Sequence, residues 1–166
     1  MSAGSNALSR SAARLAAVQA LYQIAEAGAD TEPVIQEFIT FRIGKELEGV
    51  SYPAADEPHF TSVVTGASSR RAELDALIAG ALASGWSLGR LGKLMLAILH
   101  AATFELVGRP DVPVRVVINE YVELTRDFFD DKDVAFVNAA LDRIAQQVRT
   151  GEMKGGAKTD ETQGTG

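Results

Sequence analysis

The segment from Arg109 to Ala145, RPDVPVRVVINEYVELTRDFFDDKDVAFVNAALDRIA, decides the fold of this chain. Apolar residues in its first half recur at spacings of three and four, as on one face of a helix: Val114, Val117, Ile118, Tyr121 and Leu124. The β-branched start, VPVRVVI, is compatible with a strand, but the helical spacing continues for longer than strands usually do. The segment therefore predicts a helix from about Pro113 to Phe129 and, after a short acidic turn, another from about Asp133 to Arg149.

The same spacing runs through most of the remaining sequence. It predicts further helices, begun by capping residues and ended by glycines, at about 9–27, 31–43, 56–83 and 93–107. The connections are short, the stretch 45–55 is typical of a loop, and no segment favours a strand over a helix. We therefore expect an all-α bundle of about seven helices.

The bundle is expected to form one domain with flexible ends. The domain would span 9–149. Residues 1–8 are small and polar and predict a flexible N-terminal lead. Residues 150–166 are polar and rich in glycine, a composition typical of a disordered tail.

The charge balance argues against a general affinity for nucleic acid. The 166 residues include 16 Lys and Arg against 22 Asp and Glu, a formal net charge of −6, so any RNA contact must come from a local patch. The absence of cysteine excludes disulfides, thiolate zinc sites and cysteine nucleophiles. The apolar runs are far shorter than the ~20 residues of a membrane helix, and no targeting segment is recognisable. We expect a cytoplasmic protein with no membrane attachment.

Residues that could carry catalysis or bind a metal do not form a recognisable motif. His59 and His100 lie far apart and lack further ligands at helical spacing, so no metal site is expected. No nucleophile elbow, phosphate-binding loop or dinucleotide-binding glycine motif is present. The acids of the turn, Asp130, Asp131 and Asp133, favour a helix N-cap over a catalytic or calcium cluster. We therefore predict no enzymatic activity, no catalytic residue and no cofactor.

Two arginines and two aromatic residues have alternative interpretations. Arg10 and Arg14 lie one turn apart on the first helix and so share a face. They could contact phosphates, but two charges attract a nucleic acid only weakly. Spacing alone favours a helix face on which both side chains are solvated. Tyr22 and Phe136 fit apolar stripes and favour core positions, although an aromatic beside a basic face could stack on bases.

Three other residues favour structural roles. Asn119 and Asn138 interrupt apolar helix faces, where asparagine has poor helix propensity, and Asn138 is predicted to bond as a clamp to backbone or to a neighbouring side chain. Trp86 precedes a capped turn and is predicted to anchor the core or a seam between packed elements.

Five stretches of the chain carry a specific pattern: AVQALY at 17–22, SLGRLG at 87–92, ILHAATFEL at 98–106, RPDVPVRVVINEYVEL at 109–124 and FVNAALDRIA at 136–145. In their order and spacing they resemble the NusB family of bacterial transcription antitermination factors. The resemblance spans about Ser9 to Arg149. It implies a module of two packed three-helix units without known catalytic activity.

The resemblance also implies partners. Members of the family pair with NusE, a small-subunit ribosomal protein, and the pair binds the boxA element of leader RNA. That assembly joins RNA polymerase with other Nus factors and suppresses termination during ribosomal RNA synthesis.

Matching positions transfer the family's binding roles to this chain. The residues implied to face RNA are Arg10, Arg14, Tyr22, Lys132 and Phe136. The residues implied to face the ribosomal protein are Glu73, Met95 and His100. The chain departs from many members at 11–13, where Ser and Ala interrupt an arginine run, and at Met95, Leu96 and His100, where charged residues are common. These departures imply weaker RNA binding, or more dependence on the partner, and a more apolar partner surface.

A second function stays open at this point. The chain could be a protein-interaction module of the same fold with little RNA binding of its own. Fusion to an RNA cytosine methyltransferase, which also occurs with this helical domain, does not fit the length. A small hydrolase does not fit either, because no nucleophile and base set is present.

Overall fold

The computed structural model describes the backbone of residues 3–44, 46–47, 50–51 and 54–153 and the side chains of 6–44 and 54–153. The α-helices of this part of the chain are α1 (Ala3–Ala27), α2 (Thr31–Phe41), α3 (Glu57–Ser69), α4 (Arg71–Ala81), α5 (Lys93–Gly108), α6 (Val114–Arg126) and α7 (Asp131–Val148). A 3-10 turn at Leu88–Arg90 precedes α5, and two short strands, β1 (Glu46–Leu47) and β2 (Val50–Ser51), pair antiparallel. The predicted helical fold is confirmed.

Local sequence signals determine several helix ends. The side chains of Asp56 and Asp130 accept hydrogen bonds from the backbone N–H groups of His59 and Asp133, as N-caps of α3 and α7. Gly28 follows α1 with a φ of 62°, a left-handed conformation that glycine adopts at little cost. The predicted helix after Pro113 is confirmed as α6. Its apolar face packs against α5 and α7.

Several boundaries differ from those predicted. Helix α1 begins at Ala3, so most of the expected lead, 1–8, is helical, because small residues such as alanine continue a helix without a cap signal. The single helix expected over 56–83 is divided at Arg70, whose φ of −105° and ψ of 20° depart from helical values. The expected loop over 45–55 contains the β1–β2 hairpin.

The chain also stays packed beyond residue 149. Arg149 donates hydrogen bonds to carbonyl groups at the end of α5 and in the turn that follows: Glu105, Leu106, Arg109 and Val112. Glu152 accepts a hydrogen bond from Arg149 at 3.1 Å and one from the backbone N–H of Val114 at 3.2 Å. Residues 150–153 therefore belong to the fold, and the remainder of the expected tail, 154–166, lies outside the described residues.

Helix α5 forms the centre of the bundle. Its residues from Ala97 to Leu106 are all buried, because the helix packs against α1, α3, α4, α6 and α7. Helices α1, α2 and α3 contact one another, and α5, α6 and α7 do the same. These contacts correspond to the two three-helix units that the resemblance implied.

Candidate nucleic-acid and partner interface

A buried polar cluster lies where α1, α3, α5 and α6 meet. Its central group is the carboxylate of Glu105, a residue with 0% exposure. Arg14 donates to this carboxylate from Nε at 2.9 Å and from Nη2 at 3.0 Å. Nε2 of His59 lies 3.0 Å from it, and the hydroxyl of Tyr121 donates to it at 2.5 Å. We call these four residues the buried cluster.

A fifth residue determines which nitrogen of the histidine ring donates to Glu105. Nη1 of Arg109 lies 3.2 Å from Nδ1 of His59. A guanidinium group can only donate, so Nδ1 must accept, and the proton of the neutral ring belongs on Nε2, where it is donated to Glu105. Arg14 therefore supplies a permanent positive charge beside Glu105, and His59 and Tyr121 add hydrogen bonds to the same carboxylate.

The buried cluster changes the acidity of its members. Burial by itself raises the pKa of Glu105, but hydrogen bonds from His59 and Arg14, together with the charge of Arg14, outweigh burial and lower this pKa to about 2. Burial, the charge of Glu105 and the hydrogen bond to it raise the pKa of Tyr121 above its ordinary value. Glu105 is consequently charged and Tyr121 neutral near pH 7.

The predicted RNA contact of Arg14 is wrong for this structure. Arg14 is only 2% exposed, its guanidinium is engaged by Glu105, and Nη1 also lies 3.4 Å from Glu120. The solvated helix face that spacing favoured is equally wrong. Helix α1 packs against α2, α3, α5 and α6, so a residue off its main apolar stripe is still enclosed.

Arg10, one turn earlier, reaches solvent. Its side chain is 39% exposed, and its Nε lies 3.5 Å from the carboxylate of Asp56. Beside this pair, Arg109 forms two hydrogen bonds of 3.0 Å with Asp111. The hydrogen bond from Arg109 is the main cause that lowers the pKa of Asp111 to about 2, and the charge of Arg10 adds to it. We call these four residues the surface charge cluster. Periodicity does not identify Asp56, Arg109 and Asp111 as neighbours of Arg10, because only the fold brings them together.

The other residues implied to face RNA are spread over the surface. Tyr22 is 38% exposed, so the core position predicted for it is wrong. It follows Arg10 on the same helix by twelve residues, or roughly 18 Å. Lys132 is exposed in the first turn of α7, and Phe136, one turn later, is half-buried against the core. Their contacts with RNA stay predictions.

The residues implied to face the partner have different environments. Met95 is 4% exposed and packs in the core, so it is not part of an exposed surface; the next residue, Leu96, is half-exposed instead. His100 is 8% exposed, and its Nε2 lies 2.6 Å from the carboxylate of Asp75. Glu73 is exposed and accepts two hydrogen bonds from the guanidinium of Arg70.

A groove beside His100 is a candidate partner surface. It runs between the C-terminal half of α1, the α3–α4 junction and the start of α5. Its apolar lining includes Leu21, Ile24, Ala25, Ala67, Leu88 and Leu96. Arg71 and Lys93 also line it, with side chains 58% and 52% exposed. We call it the α1–α5 groove. Apolar lining with exposed cations suits a protein segment that carries apolar and acidic side chains.

Two structural interpretations need correction, and a third is confirmed. Asn138 is exposed and, with Asn119, lines a polar groove between α6 and α7, a surface position that does not fit the predicted clamp to backbone or to a neighbouring side chain. Trp86 is 53% exposed rather than a core anchor. Asp130 is a helix N-cap, as predicted.

Among the described residues, no group of three or more His, Cys, Asp or Glu side chains could hold a metal ion, and no helix is long and apolar enough to cross a membrane.

Comparison with known proteins identifies the family. The model of the NusB family matches residues 11–146, which is most of the chain. The chain belongs to the NusB family. A relative from Rhizobium etli, named "Transcription antitermination protein NusB", is 50% identical over 145 residues, which cover 87% of this chain and 90% of that protein.

Solved NusB structures share the fold. The structure of T. maritima NusB superposes with a TM-score of 0.71 at 27% identity, covering 87% of this chain and 96% of that chain. A chain in the crystal structure of antitermination factors NusB and NusE in complex with dsRNA gives a TM-score of 0.63 at 23% identity, covering 82% and 96%. In this chain the NusB fold encloses the buried cluster and leaves the surface charge cluster and the α1–α5 groove accessible.

Proposed function

We propose that this chain is a transcription antitermination factor that binds RNA together with a NusE-like ribosomal protein. The observation that carries the proposal is the match to the NusB family over residues 11–146. The relative from Rhizobium etli, which is named as a transcription antitermination protein, is identical at half of the aligned positions. We propose further that the RNA is a boxA-type leader and that the complex of chain, NusE-like protein and RNA acts in the cytoplasm. There it joins RNA polymerase and other Nus factors and carries ribosomal RNA transcription through terminators.

The accessible cation on α1 supports the RNA-binding part of the proposal. Arg10 is 39% exposed and is held to Asp56 at 3.5 Å, a separation at which the pair can open. Lys132 is also exposed, at the start of α7, and Tyr22 presents an aromatic ring 38% exposed. Cations that contact phosphates and aromatics that stack on bases are the usual components of a single-strand RNA site.

The α1–α5 groove supports the protein-binding part of the proposal. It is open, partly apolar, and lined by His100, which the resemblance implied to face the partner. Leu96 supplies the half-exposed apolar side chain that Met95 was expected to supply. One of the similar solved structures contains NusB and NusE together with RNA, which makes a groove-bound ribosomal protein a specific hypothesis to test.

A protein-interaction module with little RNA binding of its own is the second candidate function. The burial of Arg14 favours it, because that burial removes one of the two α1 arginines from the surface. The net charge of −6 favours it as well, since an acidic protein repels RNA at long range.

RNA binding with and without the partner separates the two functions. A labelled single-stranded boxA-type RNA is titrated at one salt concentration with the chain, with the NusE-like protein, and with both. The antitermination function predicts weak binding by the chain and binding by the mixture that is tighter than either protein alone by about tenfold or more. A mixture no tighter than the partner alone would support the interaction module. Failure of the two proteins to associate would contradict both functions.

Two substitutions test the assignment of surfaces. Arg10→Gln should weaken RNA binding by the mixture and leave association of the two proteins unchanged. Leu96→Glu should weaken association, because it places a charge in the apolar part of the groove. Phe41→Glu is the matched control, since Phe41 is an apolar residue 54% exposed that does not line the groove. If Phe41→Glu weakens association as much as Leu96→Glu, the groove is not the partner surface.

A further inference from the structure

Asp56 makes three contacts that connect the start of α3 to the turn of α1 that carries Arg10. Its Oδ1 accepts the backbone N–H of His59 at 3.0 Å and so caps α3. Its own backbone N–H donates to the carbonyl of Ser9 at 3.1 Å. Its Oδ2 lies 3.5 Å from Nε of Arg10. The first two contacts hold the third in place, because they fix Asp56 against the helix turn that carries Arg10.

From this geometry we propose that Asp56 is an internal competitor for RNA. It occupies Arg10 in the free protein, and an RNA phosphate must replace it at the guanidinium when the complex forms. Asp56 would then determine how tightly the chain binds RNA and at what salt concentration binding is lost. This inference rests on the proposed function, since it concerns the RNA that the proposed antitermination factor binds.

The exchange is feasible for Arg10 and not for Arg14. The Arg10–Asp56 pair is a single long contact between side chains that are 39% and 28% exposed, so water can solvate both groups when the pair opens. Arg14 makes two short hydrogen bonds with a carboxylate of 0% exposure, and withdrawing it would leave that buried charge unpaired. A phosphate can therefore compete only for the first arginine.

Of the two carboxylates in the surface charge cluster, Asp56 is the one that competes for Arg10. The surface charge cluster contains two arginines and two carboxylates, which cancel formally. Asp111 already accepts hydrogen bonds from Nε and Nη2 of Arg109, at 3.0 Å each, and so is less free to compete for Arg10. Neutralising Asp56 alone turns a balanced patch into one with a net positive charge, which is the condition that favours a phosphate.

The test is the substitution Asp56→Asn in the full chain, assayed with the NusE-like protein and a labelled boxA-type RNA. Asparagine caps helices about as well as aspartate, and the backbone hydrogen bond to Ser9 is unaffected, so the fold should be retained. RNA affinity should rise by about two- to fivefold, the range expected for removing one half-exposed ion pair. Asp30→Asn is the control, because Asp30 is an exposed acid just before α2, and its loss changes the net charge equally.

A double-mutant cycle with Arg10→Gln shows whether Asp56 acts through Arg10. The proposal requires the gain from Asp56→Asn to disappear in the Arg10→Gln background. A gain that persists there, or an equal gain in Asp30→Asn, would show a general field effect and overturn the proposal. Weaker RNA binding by Asp56→Asn would also overturn it, since Asp56 would then position Arg10 for RNA. If Arg10→Gln leaves affinity unchanged while the mixture binds RNA, the inference fails but the proposed function stands. If the mixture binds no RNA, the proposed function fails as well.

Discussion

Arg10 and Arg14 lie one turn apart on α1, yet their surroundings give them opposite roles. Arg10 forms one long contact with a half-exposed carboxylate, the kind of surface pair that contributes about 0–1 kcal/mol. Arg14 is 2% exposed and forms two hydrogen bonds with buried Glu105. Removing one partner of such a buried pair typically costs about 3–5 kcal/mol, because a charge is left without compensation. The first arginine is available to ligands, and the second holds α1 to α5.

We predict that Arg14→Ala strongly destabilises the protein. The free energy of unfolding should decrease by about 3–5 kcal/mol, because Glu105 keeps its hydrogen bonds from His59 and Tyr121 but loses the charge of Arg14. Arg10→Ala is the matched control on the same helix and should change it by about 1 kcal/mol or less. Urea denaturation followed by circular dichroism measures both. Equal stability of the two variants would show that the buried ion pair contributes nothing beyond a surface pair.

The low pKa of Glu105 gives the stability a defined dependence on pH. Its pKa is about 2 in the folded protein and 4.5 ordinarily, so between these values the unfolded state binds more protons and acid favours unfolding. The stabilisation is complete above about pH 5 and should be lost progressively towards pH 2. Its size is on the order of 3 kcal/mol. Urea denaturation at a series of pH values measures this loss.

Two variants identify the groups behind that acid sensitivity. Glu105→Gln has no carboxyl to protonate, so its stability should fall less between pH 5 and pH 2 than that of the parent chain, even though it starts lower. Asp111, whose pKa is also lowered to about 2 chiefly by Arg109, contributes in the same direction. Asp111→Asn measures that share. If the free energy of unfolding of Glu105→Gln depends on pH as that of the parent chain does, the acid sensitivity comes from other groups.

At the scale of helices, the crossing of α3 and α5 depends on a missing side chain. The ring of Phe104 on α5 occupies the space where a Cβ of Gly66 on α3 would lie, and it also covers Gly108. Gly66 permits a close approach of the two helices, since the absence of a side chain lets the aromatic ring fill the crossing.

Gly66→Ala should therefore destabilise the fold, although alanine is the better helix former. The added methyl group would overlap the Phe104 ring, and overpacking of this kind costs about 1–3 kcal/mol. Gly80→Ala is the control, because a Cβ at Gly80 meets no described atom within 4 Å, and it should stabilise α4 by about 0.5–1 kcal/mol. Thermal unfolding gives both changes. Stabilisation by Gly66→Ala would mean that Phe104 moves aside without cost.

Helix ends were predictable where a side chain or a glycine determines them. Asp56, Asp130 and Gly28 carry such signals, and the structure places helix ends at all three. The start of α1 was missed because an alanine-rich segment can extend a helix without a local mark. The break at Arg70 was missed for a different reason. The apolar spacing of α3 and α4 is continuous in sequence, so periodicity alone does not mark the residue at which α3 ends.

The candidate site was less predictable, because burial around a helix depends on how many neighbours it has. Spacing alone placed Arg14 outside the apolar stripe, but α1 has neighbours on several sides, and the residue is enclosed. Met95 was expected at the surface from a family position, yet it points into the core and Leu96 is half-exposed. The surface charge cluster joins residues from the start of α1, the N-cap of α3 and the turn after α5, a combination that periodicity does not show.

At the scale of the whole molecule, charge limits how the chain can bind RNA by itself. The net charge is −6, and exposed cations such as Arg71, Arg126 and Lys93 lie within 4.0 Å of carboxylates. The turn between α6 and α7 adds several acids around Lys132. A surface of this kind offers few cations to phosphates, so a second protein must supply the remainder if binding is to be tight.

This charge distribution predicts a specific dependence on salt. Each phosphate contact with a single strand contributes about 0.7 to the slope of log affinity against log salt concentration, and we expect only about one or two such contacts for the chain alone. With the NusE-like protein the slope should be steeper, because the partner adds cations. In the mixture, Arg10→Gln should reduce the slope by about one contact. Fluorescence anisotropy over a salt series measures these slopes. A steep slope for the chain alone would show that its own surface binds several phosphates, and the partner would then act by a route other than charge.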